Sequence, residues 1–343
     1  FVRLFALSDK LVVIDEVHAY DAYMSRILDA LIGWLHAVGA SVVLMSATLP
    51  KDRKRQLLEA FVQCEQSVEE CGLDLSALAP YPSVTAVDTH LNGTTRSISL
   101  VRSRNVTVEL LLADGEDRIR QLARRCVDEV IKGGVVGCVV NTVSAAQRVY
   151  DIVAGEVGPE VKTQLFHSRF TRQDRRSIET EVVRAYGKPD REGSTKDRPA
   201  KAVLVATQVV EQSIDIDFDV LLTDLAPIDL ILQRMGRMQR HERERPEGRK
   251  DPRVVIACPE SDTDAAYSGA GYVYFREVLR RTRNTLMDHG GKIRVPGDVS
   301  GLVEKVYGSA VAEQEAVERW YGEMLGTEQR QTMKAALRTL PAI

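Results

Sequence analysis

The sequence predicts an α/β protein built on parallel sheets that are covered by helices. Short apolar runs alternate with amphipathic helical patterns along most of the 343 residues. Polar and charged residues follow directly after several of these runs, as expected where buried parallel strands end. Apolar residues make up 44% and charged residues 28% of the chain, which is typical of a globular protein and argues against a disordered or fibrous one.

The predicted elements follow from the period of the apolar residues. Strands are expected over 11–14, 41–45, 106–112, 135–140, 164–166, 202–206, 220–223 and 254–258. The first two runs are interpreted as buried central strands, and the last as the strand that closes its sheet. Helices are expected over 22–38, 51–62, 116–132, 143–154, 171–186 and 230–239. Residues 65–92 show no regular pattern, 240–251 are expected to form a solvated charged loop, and the chain from about 269 is expected to be helical without further strands.

These elements divide the chain into three expected parts. Residues 1–98 are interpreted as the C-terminal part of a first α/β domain, 99–262 as a complete second one, and 263–343 as a helical accessory segment. The chain opens with Phe1 and reaches its first strand almost at once, so the first domain is expected to be incomplete. Such a sheet is expected to leave an exposed edge and an exposed apolar face.

The net charge and the cysteine content restrict the classes of protein to which this sequence can belong. The net charge of −3 gives no sign of a basic nucleic-acid binder, although local basic patches can still bind phosphates. The five cysteines include no C-x-x-C pair, so neither a disulfide framework nor a zinc site is expected, and a reducing cytoplasmic location is favoured. No apolar run approaches the roughly 20 residues of a membrane span, so no membrane association is expected.

Two motifs follow the first two strands. Asp15 and Glu16 come directly after the first strand. One carboxylate can hold Mg²⁺ through water, and the other can orient or deprotonate an attacking water; the alternative is an acidic pair opening a solvated turn. Ser46 and Thr48 come after the second strand, where small hydroxylated residues can hydrogen-bond across a cleft. The tripeptide Ser-Ala-Thr occurs often by chance, and it is informative here because it follows the acidic pair along the chain.

A third motif lies between residues 205 and 217. The strand ends at Ala206, and Thr207 can donate to a phosphate oxygen while Asp215 can meet a ribose hydroxyl. The alternative is a strand-to-helix loop with ordinary caps. Two weaker strand ends precede it: Thr142 belongs to an Asn-Thr pair, and Arg169 follows a lone histidine in a turn, where it is a plausible contact to a phosphate backbone.

The fourth motif runs from Gln233 to His241. Arg234, Arg237 and Arg240 are three residues apart and share one face if the segment is helical. Guanidinium groups suit a transferring phosphoryl group because they stay charged and present planar forks of donors. The alternative is a basic solvated helix face, which the preceding apolar run at 230–232 makes the weaker interpretation.

The order of these motifs resembles that of superfamily 2 helicases. The motifs are D-E-x-H, S-A-T, the N-T strand end, F-H-S-R, T-Q-x-x-E-Q-S-x-D and Q-R-x-G-R-x-x-R. A closer resemblance, over about residues 1–310, is to the CRISPR-associated DEVH-box helicase–nuclease of type I systems. The segments that carry it are KLVVIDEVHAYDAYMS, FHSRFTRQDR, VATQVVEQSIDIDFDVLLTDLAPIDLILQRMGRMQRH and RVPGDVSGLVEKVY.

The resemblance implies two RecA-like domains, the first incomplete and the second complete. It also implies an enzyme that hydrolyses ATP with Mg²⁺, acts on single-stranded DNA, is recruited by a guide-RNA surveillance complex, and unwinds and degrades invading DNA. Carried over residue by residue, Asp15 would position Mg²⁺, Glu16 would activate water and Asp215 would contact the ribose. The residues implied at the γ-phosphate are Gln233, Arg237 and Arg240. Those implied at the DNA backbone are Thr142, Arg169, Thr207 and Gln208, and those implied to couple hydrolysis to movement are His18, Ser46 and Thr48.

The sequence departs from this family in two respects. It contains no phosphate-binding loop of the form G-x-x-x-x-G-K-[ST], since Gly290-Gly291-Lys292 is followed by isoleucine. It also lacks the clustered histidines and aspartates of the family's HD nuclease domain. The expectation is therefore that a missing N-terminal half carries both, and that this chain alone does not hydrolyse ATP. Two alternatives stay open: another superfamily 2 DNA or RNA helicase, and a non-catalytic remnant that binds nucleic acid or protein.

Overall fold

The chain folds into two units, and the larger one, Arg104–Val295, is built on a seven-stranded sheet. A computed structural model describes residues 6–17, 22–62, 81–88, 92–99, 103–189, 197–211, 214–267, 269–308 and 315–339. Its strands are β5 (Arg104–Leu112), β6 (Gly134–Val139), β7 (Lys162–Phe166), β8 (Lys201–Ala206), β9 (Val220–Asp224), β10 (Arg253–Cys258) and β11 (Lys292–Val295). They lie in the order β11-β5-β10-β9-β6-β8-β7, and all pairs are parallel except β11 with β5.

The helices of this unit cover a sheet whose central strands are apolar throughout. They are α3 (Gly115–Ile131), α4 (Val143–Glu156), α5 (Arg172–Tyr186), α6 (Ile228–Met235) and α7 (Arg276–Asp288). Every residue of β6 and of β9 is buried, as expected for strands covered on both faces. The core lies between the sheet and helices α3 and α4, where Leu122 and Val149 pack against Val136 and Leu222.

The smaller unit comprises residues up to Ser103 together with those from Pro296 onwards. Strands β1 (Leu11–Ile14) and β2 (Ser41–Leu44) form a parallel pair, and β3 (Ser83–Val87) and β4 (Gly93–Ser97) form an antiparallel hairpin. Its helices are α1 (Ala22–Ala37), α2 (Lys51–Val62), α8 (Val299–Tyr307) and α9 (Glu315–Ala336). A small core joins Leu28 and Ile32 of α1 to Leu57 of α2, and α9 packs along α1.

The expected strands β1 and β2 are present, but the interpretation of them as fully buried is wrong. Leu11 is 66% and Val13 is 53% exposed, and Val43 and Met45 are exposed as well. Alternate residues of each strand therefore contact solvent instead of a second layer. The exposed apolar face that the sequence predicted for this sheet is present.

Three further expectations need correction. The region 65–92, expected to be irregular, contains strand β3, which pairs with β4 directly after that region, and the region expected to be purely helical contains the edge strand β11. Residues 263–295 belong to the unit of the seven-stranded sheet, whereas the chain from Pro296 packs with the first unit. Strand β10 lies inside its sheet, between β5 and β9, and does not close it.

The segment 240–251, expected to be a solvated loop, is held by buried arginines. Arg249 is almost fully buried and pairs with the buried carboxylate of Glu129 on α3, while its Nε donates to the Gly133 carbonyl at 3.2 Å. Arg253 pairs with the same carboxylate. The high density of charged residues in this segment therefore reflects side chains that form ion pairs inside the unit.

Within the described residues, no helix is both long enough and apolar enough to cross a membrane.

The Glu129 carboxylate is expected to stabilise the fold in a pH-dependent way. Burial alone would raise the pKa of Glu129, but hydrogen bonds from Arg249, Arg253 and Lys132 lower it from 4.5 to about 2. A lowered pKa stabilises the folded state above pH 4.5, and this contribution is lost as the pH falls towards 2. Glu129→Gln should lower the free energy of unfolding by about 3 kcal/mol near neutral pH, because it leaves buried guanidinium groups without their anion.

Urea unfolding at several pH values measures this effect. The difference between parent and variant should shrink as the pH is lowered below 4.5. Glu156→Gln on the exposed end of α4 is the control and should change stability by less than about 0.5 kcal/mol. A difference for Glu129→Gln that is independent of pH would contradict this account.

Candidate functional site

The acidic pair lies at the carboxyl end of β1, and both of its side chains are exposed. The backbone N–H of Glu16 donates to Asp15 Oδ1 at 2.8 Å. Glu16 has φ 56°, in the left-handed region that costs a non-glycine residue about 1–2 kcal/mol. Strained backbone of this kind is typical of functional positions, where the surrounding structure maintains it. The pair is thus presented to solvent on a sharply turned backbone.

The second motif lies beside the acidic pair because β1 and β2 are parallel neighbours. The N–H of Met45 donates to the Ile14 carbonyl at 2.9 Å, and the N–H of Val17 donates to the Met45 carbonyl at 3.2 Å. Ser46 and Thr48 therefore leave the sheet at the same edge as Asp15 and Glu16. The sequence predicted His18 at this edge too, but that residue lies outside the described part of the chain.

The hydroxyl of Thr48 is buried without a hydrogen-bond partner among the described residues. Its backbone is held by Ser46, whose Oγ donates to the Thr48 carbonyl at 2.9 Å. A buried polar atom without a partner is uncommon in folded proteins and marks a position where a ligand or ion can bind. The two carboxylates of the acidic pair supply oxygen atoms of the kind that Mg²⁺ prefers.

In the larger unit, the predicted nucleic-acid residues lie at the ends of adjacent parallel strands. Thr142 follows β6 and caps α4, its Oγ1 accepting the N–H of Ala145 at 3.2 Å. Thr207 follows β8 and is almost fully buried. Gln208 bridges the two strand ends, since its Nε2 donates to the Asn141 carbonyl at 2.9 Å. The three residues therefore follow neighbouring strands of the sheet, and their contact with nucleic acid stays a prediction.

Arg169 lies in the turn after β7 and is exposed. The neighbouring His167 is buried, and its ring stacks on Phe170 with centroids 4.2 Å apart. Burial and the charge of Arg169 lower the pKa of His167, so the ring is neutral and its Nδ1 accepts the N–H of Arg169 at 3.2 Å. The histidine has a packing role that fixes the backbone from which Arg169 extends.

The three arginines of the fourth motif do not share a helix face, which corrects the expectation from their spacing. Helix α6 ends at Met235, so only Arg234 lies in it. Arg234 is almost fully buried. Arg237 and Arg240 lie on the irregular segment that follows, and each guanidinium has different partners.

Arg234 is the centre of a buried polar network. Its guanidinium pairs with Glu211 at 2.7 Å and donates to Thr223 Oγ1 at 2.6 Å and to Asn141 Oδ1 at 3.3 Å. Burial alone would lower the pKa of Arg234, but the charge and hydrogen bond of Glu211 raise it above its usual value. The Tyr274 hydroxyl completes the network at 3.4 Å. Arg234 is charged, fully paired and unavailable to a ligand.

Arg237 binds the backbone of the segment between β8 and β9. Its Nη1 donates to the Ile214 carbonyl at 2.7 Å, and its Nη2 donates to the Glu211 carbonyl. Gln233 lies on the last turn of α6 and is partly buried. The phosphate contacts expected of Arg237 and Gln233 stay predictions.

Arg240 and Asp215, two of the residues predicted around a nucleotide, contact each other. Arg240 Nε lies 3.1 Å from Asp215 Oδ1, and both side chains are 43% exposed. His241 Nε2 lies 2.9 Å from the same carboxylate oxygen. An exposed ion pair contributes roughly 0–1 kcal/mol, so this arginine can exchange Asp215 for another anion at little cost.

Sequence reasoning missed several members of these clusters. Glu211 and His241 lie inside the motifs that were recognised, but no pattern indicated that one would be a buried counter-ion and the other a partner of Asp215. Tyr274 lies 40 residues from Arg234 along the chain, and no local signal connects the two. Within the described residues, no group of three or more histidines, cysteines or carboxylates is arranged to hold a metal ion.

Comparison with known proteins agrees with this geometry. A family model described as the C-terminal part of the CRISPR-associated nuclease/helicase Cas3 matches residues 132–243. The CRISPR-associated endonuclease/helicase Cas3 of Thermus thermophilus is 38% identical, over 90% of this chain and 35% of its own length.

Two solved structures are similar over almost the whole chain. A crystal structure of T. fusca Cas3-ATP has a TM-score of 0.87 at 32% identity, covering 99% of this chain and 39% of the other. A CRISPR RNA-guided surveillance complex in a pre-nicking state contains a chain with a TM-score of 0.83 at 32% identity, covering 99% and 42%. These matches confirm the RecA-like α/β class.

The protein spans about a third of the length of the curated relatives that it matches. The relatives cover both units, and the family model covers the segment that holds the third and fourth motifs. The chain therefore belongs to the CRISPR-associated nuclease/helicase Cas3 family.

Proposed function

We propose that this chain is the ATP-driven DNA helicase and translocase portion of a type I CRISPR effector helicase–nuclease, which unwinds invading DNA for degradation. The observation that carries the proposal is the presence of exposed acidic and basic side chains in both units, at the carboxyl end of β1 in the smaller unit and in the segments before β9 and after α6 in the larger one. One unit presents Asp15 and Glu16 on a strained turn, and the other presents Arg240 beside Asp215. Carboxylates for the metal and water, together with a mobile arginine charge, are the groups that phosphoryl transfer requires.

The residues present fit ATP and Mg²⁺. The carboxylates of the acidic pair suit a hard cation, and bound Mg²⁺ would neutralise charge on the transferring phosphate. In this proposal Asp15 holds the ion through water and Glu16 orients and deprotonates the attacking water. Asp215 accepts a hydrogen bond from a ribose hydroxyl of the nucleotide.

The charge that develops on the γ-phosphate is met by side chains of the fourth motif. Arg240 is the principal one, because its guanidinium pairs with the exposed carboxylate of Asp215, which it can release. The side chains of Arg237 and Gln233 are partly buried and would assist Arg240 in this role. An arginine in this role contributes about 10³–10⁵ in rate in enzymes where it has been measured.

Single-stranded DNA is the proposed substrate. Arg169, Thr142, Thr207 and Gln208 would contact its backbone, the exposed Arg169 most directly. Phosphate contacts of this kind fix register and orientation without reading sequence. Ser46, Thr48 and His18 would couple hydrolysis to movement along the strand.

The proposed partners follow from the relatives. The similar chain in a guide-RNA surveillance complex supports recruitment of this protein by such a complex, which would take place in the cytoplasm. The 343 residues contain no G-x-x-x-x-G-K-[ST] segment, whose backbone amides and lysine cradle phosphates. We therefore propose that an N-terminal half supplies the phosphate loop and the HD nuclease.

The first prediction concerns ATP hydrolysis stimulated by single-stranded DNA. The purified chain alone should show no stimulated activity, and mixing it with an N-terminal polypeptide that contains the phosphate loop should restore it. In the mixture, Glu16→Gln should lower kcat at least about 10²-fold with ATP binding unchanged, because a general base is lost. Glu156→Gln, which changes an exposed carboxylate at the end of α4 that belongs to none of the four motifs, is the matched control.

Three other outcomes of this assay would each favour a different account of the protein. Activity of the chain alone would place the phosphates elsewhere and contradict the split motor. A tightly associated but inactive mixture that binds DNA would favour a non-catalytic remnant. Activity on DNA that never depends on the surveillance complex would favour another superfamily 2 helicase.

A second prediction separates the two arginines of the fourth motif. Arg240→Ala in the active mixture should lower kcat about 10³-fold with stability changed by less than about 0.5 kcal/mol, because the side chain is half-exposed. Arg234→Lys should lower the free energy of unfolding of the chain by about 3 kcal/mol, because a lysine cannot replace the buried fork of donors. Urea unfolding and steady-state kinetics measure both, and a large stability loss for Arg240→Ala would contradict the assignment.

A further inference from the structure

Arg240 extends from a backbone segment that needs to be held in place. Helix α6 ends at Met235, and the chain then turns so that Gln239 has φ 49°. This left-handed conformation is unfavourable for a glutamine, since its Cβ approaches the following carbonyl. The residue directly before Arg240 therefore keeps its conformation only because neighbouring groups bind the segment.

The part of the segment before Arg240 is fixed by backbone and arginine contacts. The N–H of Gln239 donates to the Phe218 carbonyl at 2.8 Å, and the N–H of Phe218 donates to the Arg237 carbonyl at 2.9 Å. Arg104 donates to the carbonyls of Met238 at 2.6 Å and Met235 at 3.0 Å. These bonds hold the chain up to residue 239.

Arg240 itself is held by Asp217, a fully buried residue that precedes β9. The N–H of Arg240 donates to Asp217 Oδ1 at 3.0 Å. The same carboxylate pairs with Arg243 at 2.8 Å and with Arg245 at 3.0 Å. Two hydrogen-bond donors, the Arg240 N–H and the Arg245 guanidinium, thus converge with the charge of Arg243 on one buried anion, which offsets the cost of its desolvation.

We propose that Asp217 is the positioning residue for Arg240, because its carboxylate fixes the Arg240 backbone and the two arginines that follow it. The direction in which Arg240 leaves the backbone is then set before any nucleotide binds. This inference rests on the proposed function, in which Arg240 stabilises charge on the γ-phosphate. Asp217 is not a catalytic residue, since it is buried and acts through Arg240.

Asp219 provides a matched comparison within the same network. It is also buried, pairs with Arg245 and, at 2.8 Å, with Arg198, and accepts the N–H of Val135 at 2.7 Å. In the described part of the chain, none of its hydrogen bonds goes to Arg240. The two aspartates therefore have similar burial and similar ionic partners, but only Asp217 holds the backbone of Arg240.

The test compares Asp217→Asn with Asp219→Asn. An asparagine at 217 has one carbonyl oxygen and no negative charge where the Arg240 N–H, the Arg245 guanidinium and the charge of Arg243 converge. Hydrogen–deuterium exchange of the unmodified chain and both variants, read on peptides that contain the Arg240 amide, measures the positioning directly. Exchange at Arg240 should accelerate about tenfold or more in Asp217→Asn and stay unchanged in Asp219→Asn, because loss of the bond opens the segment locally.

Kinetics in the mixture with the N-terminal half give a second measurement. Asp217→Asn should lower kcat by about 10²-fold with KM for ATP within about twofold, the effect of misplacing a catalytic group by about 1 Å. Asp219→Asn should lower kcat by less than about threefold. Equal losses in both variants, or a raised KM with normal kcat, would overturn the proposal, since a merely structural role affects both aspartates alike.

Two further outcomes of these experiments each have a stated consequence for the proposal. If the parent mixture shows no ATP hydrolysis, the proposed function fails, and the exchange measurement alone decides whether Asp217 holds Arg240. If Asp217→Asn does not fold, Arg243→Gln replaces it, because this variant removes one partner of the Asp217 carboxylate. Exchange at Arg240 should then rise by about threefold or more, and unchanged exchange overturns the proposal.

Discussion

The buried pair of Arg234 and Glu211 joins the elements on which the larger unit's site depends. Arg234 comes from α6, and Glu211 comes from the segment after β8. The same guanidinium bonds Thr223 in β9 and Asn141 after β6, so one cation connects the carboxyl ends of three neighbouring strands. Removing one partner from such a buried pair leaves an uncompensated charge, which is far costlier than losing an exposed ion pair.

Around this pair the arginines divide into those that build the structure and those that are available to ligands. Arg234, Arg249 and Arg245 are buried and paired with buried carboxylates. Arg169 is exposed in the turn after β7, and Arg240 is exposed in the segment after α6. Of the buried group, Arg245 shares the Asp217 carboxylate with the Arg240 N–H, and a charge stabilises a transition state best when it is positioned before the reaction.

Much of the fold could be predicted because apolar period and strand-end chemistry are local properties. The strand Leu11–Ile14 and the helix Lys51–Val62 were predicted with the observed bounds. The hairpin β3–β4 was missed because Gly93–Ser97 is polar and carries no apolar alternation. Strand β11 was missed because its four residues pair antiparallel at the sheet edge, where burial imposes little pattern.

Part of the candidate site could likewise be predicted from the sequence, and part could not. The ends of β1 and β2 were predicted to face one edge, and the register of the two strands places them there. The spacing of Arg234, Arg237 and Arg240 led to a wrong helix face, because α6 ends at Met235, before Arg237 and Arg240. The partners of Arg234 are scattered over more than a hundred residues, and the sequence carries no local sign of such contacts.

The most direct test of this account is a double-mutant cycle for Glu211→Gln and Arg234→Met, measured as free energies of unfolding of the chain in urea. The account predicts a coupling energy of about 2 kcal/mol or more, because the buried pair loses most of its stabilisation when either partner is removed. The same cycle for Asp215→Asn and Arg240→Met is the reference and should give less than about 1 kcal/mol. A coupling for the buried pair no larger than that of the exposed pair would contradict the division between arginines that build the structure and arginines available to ligands.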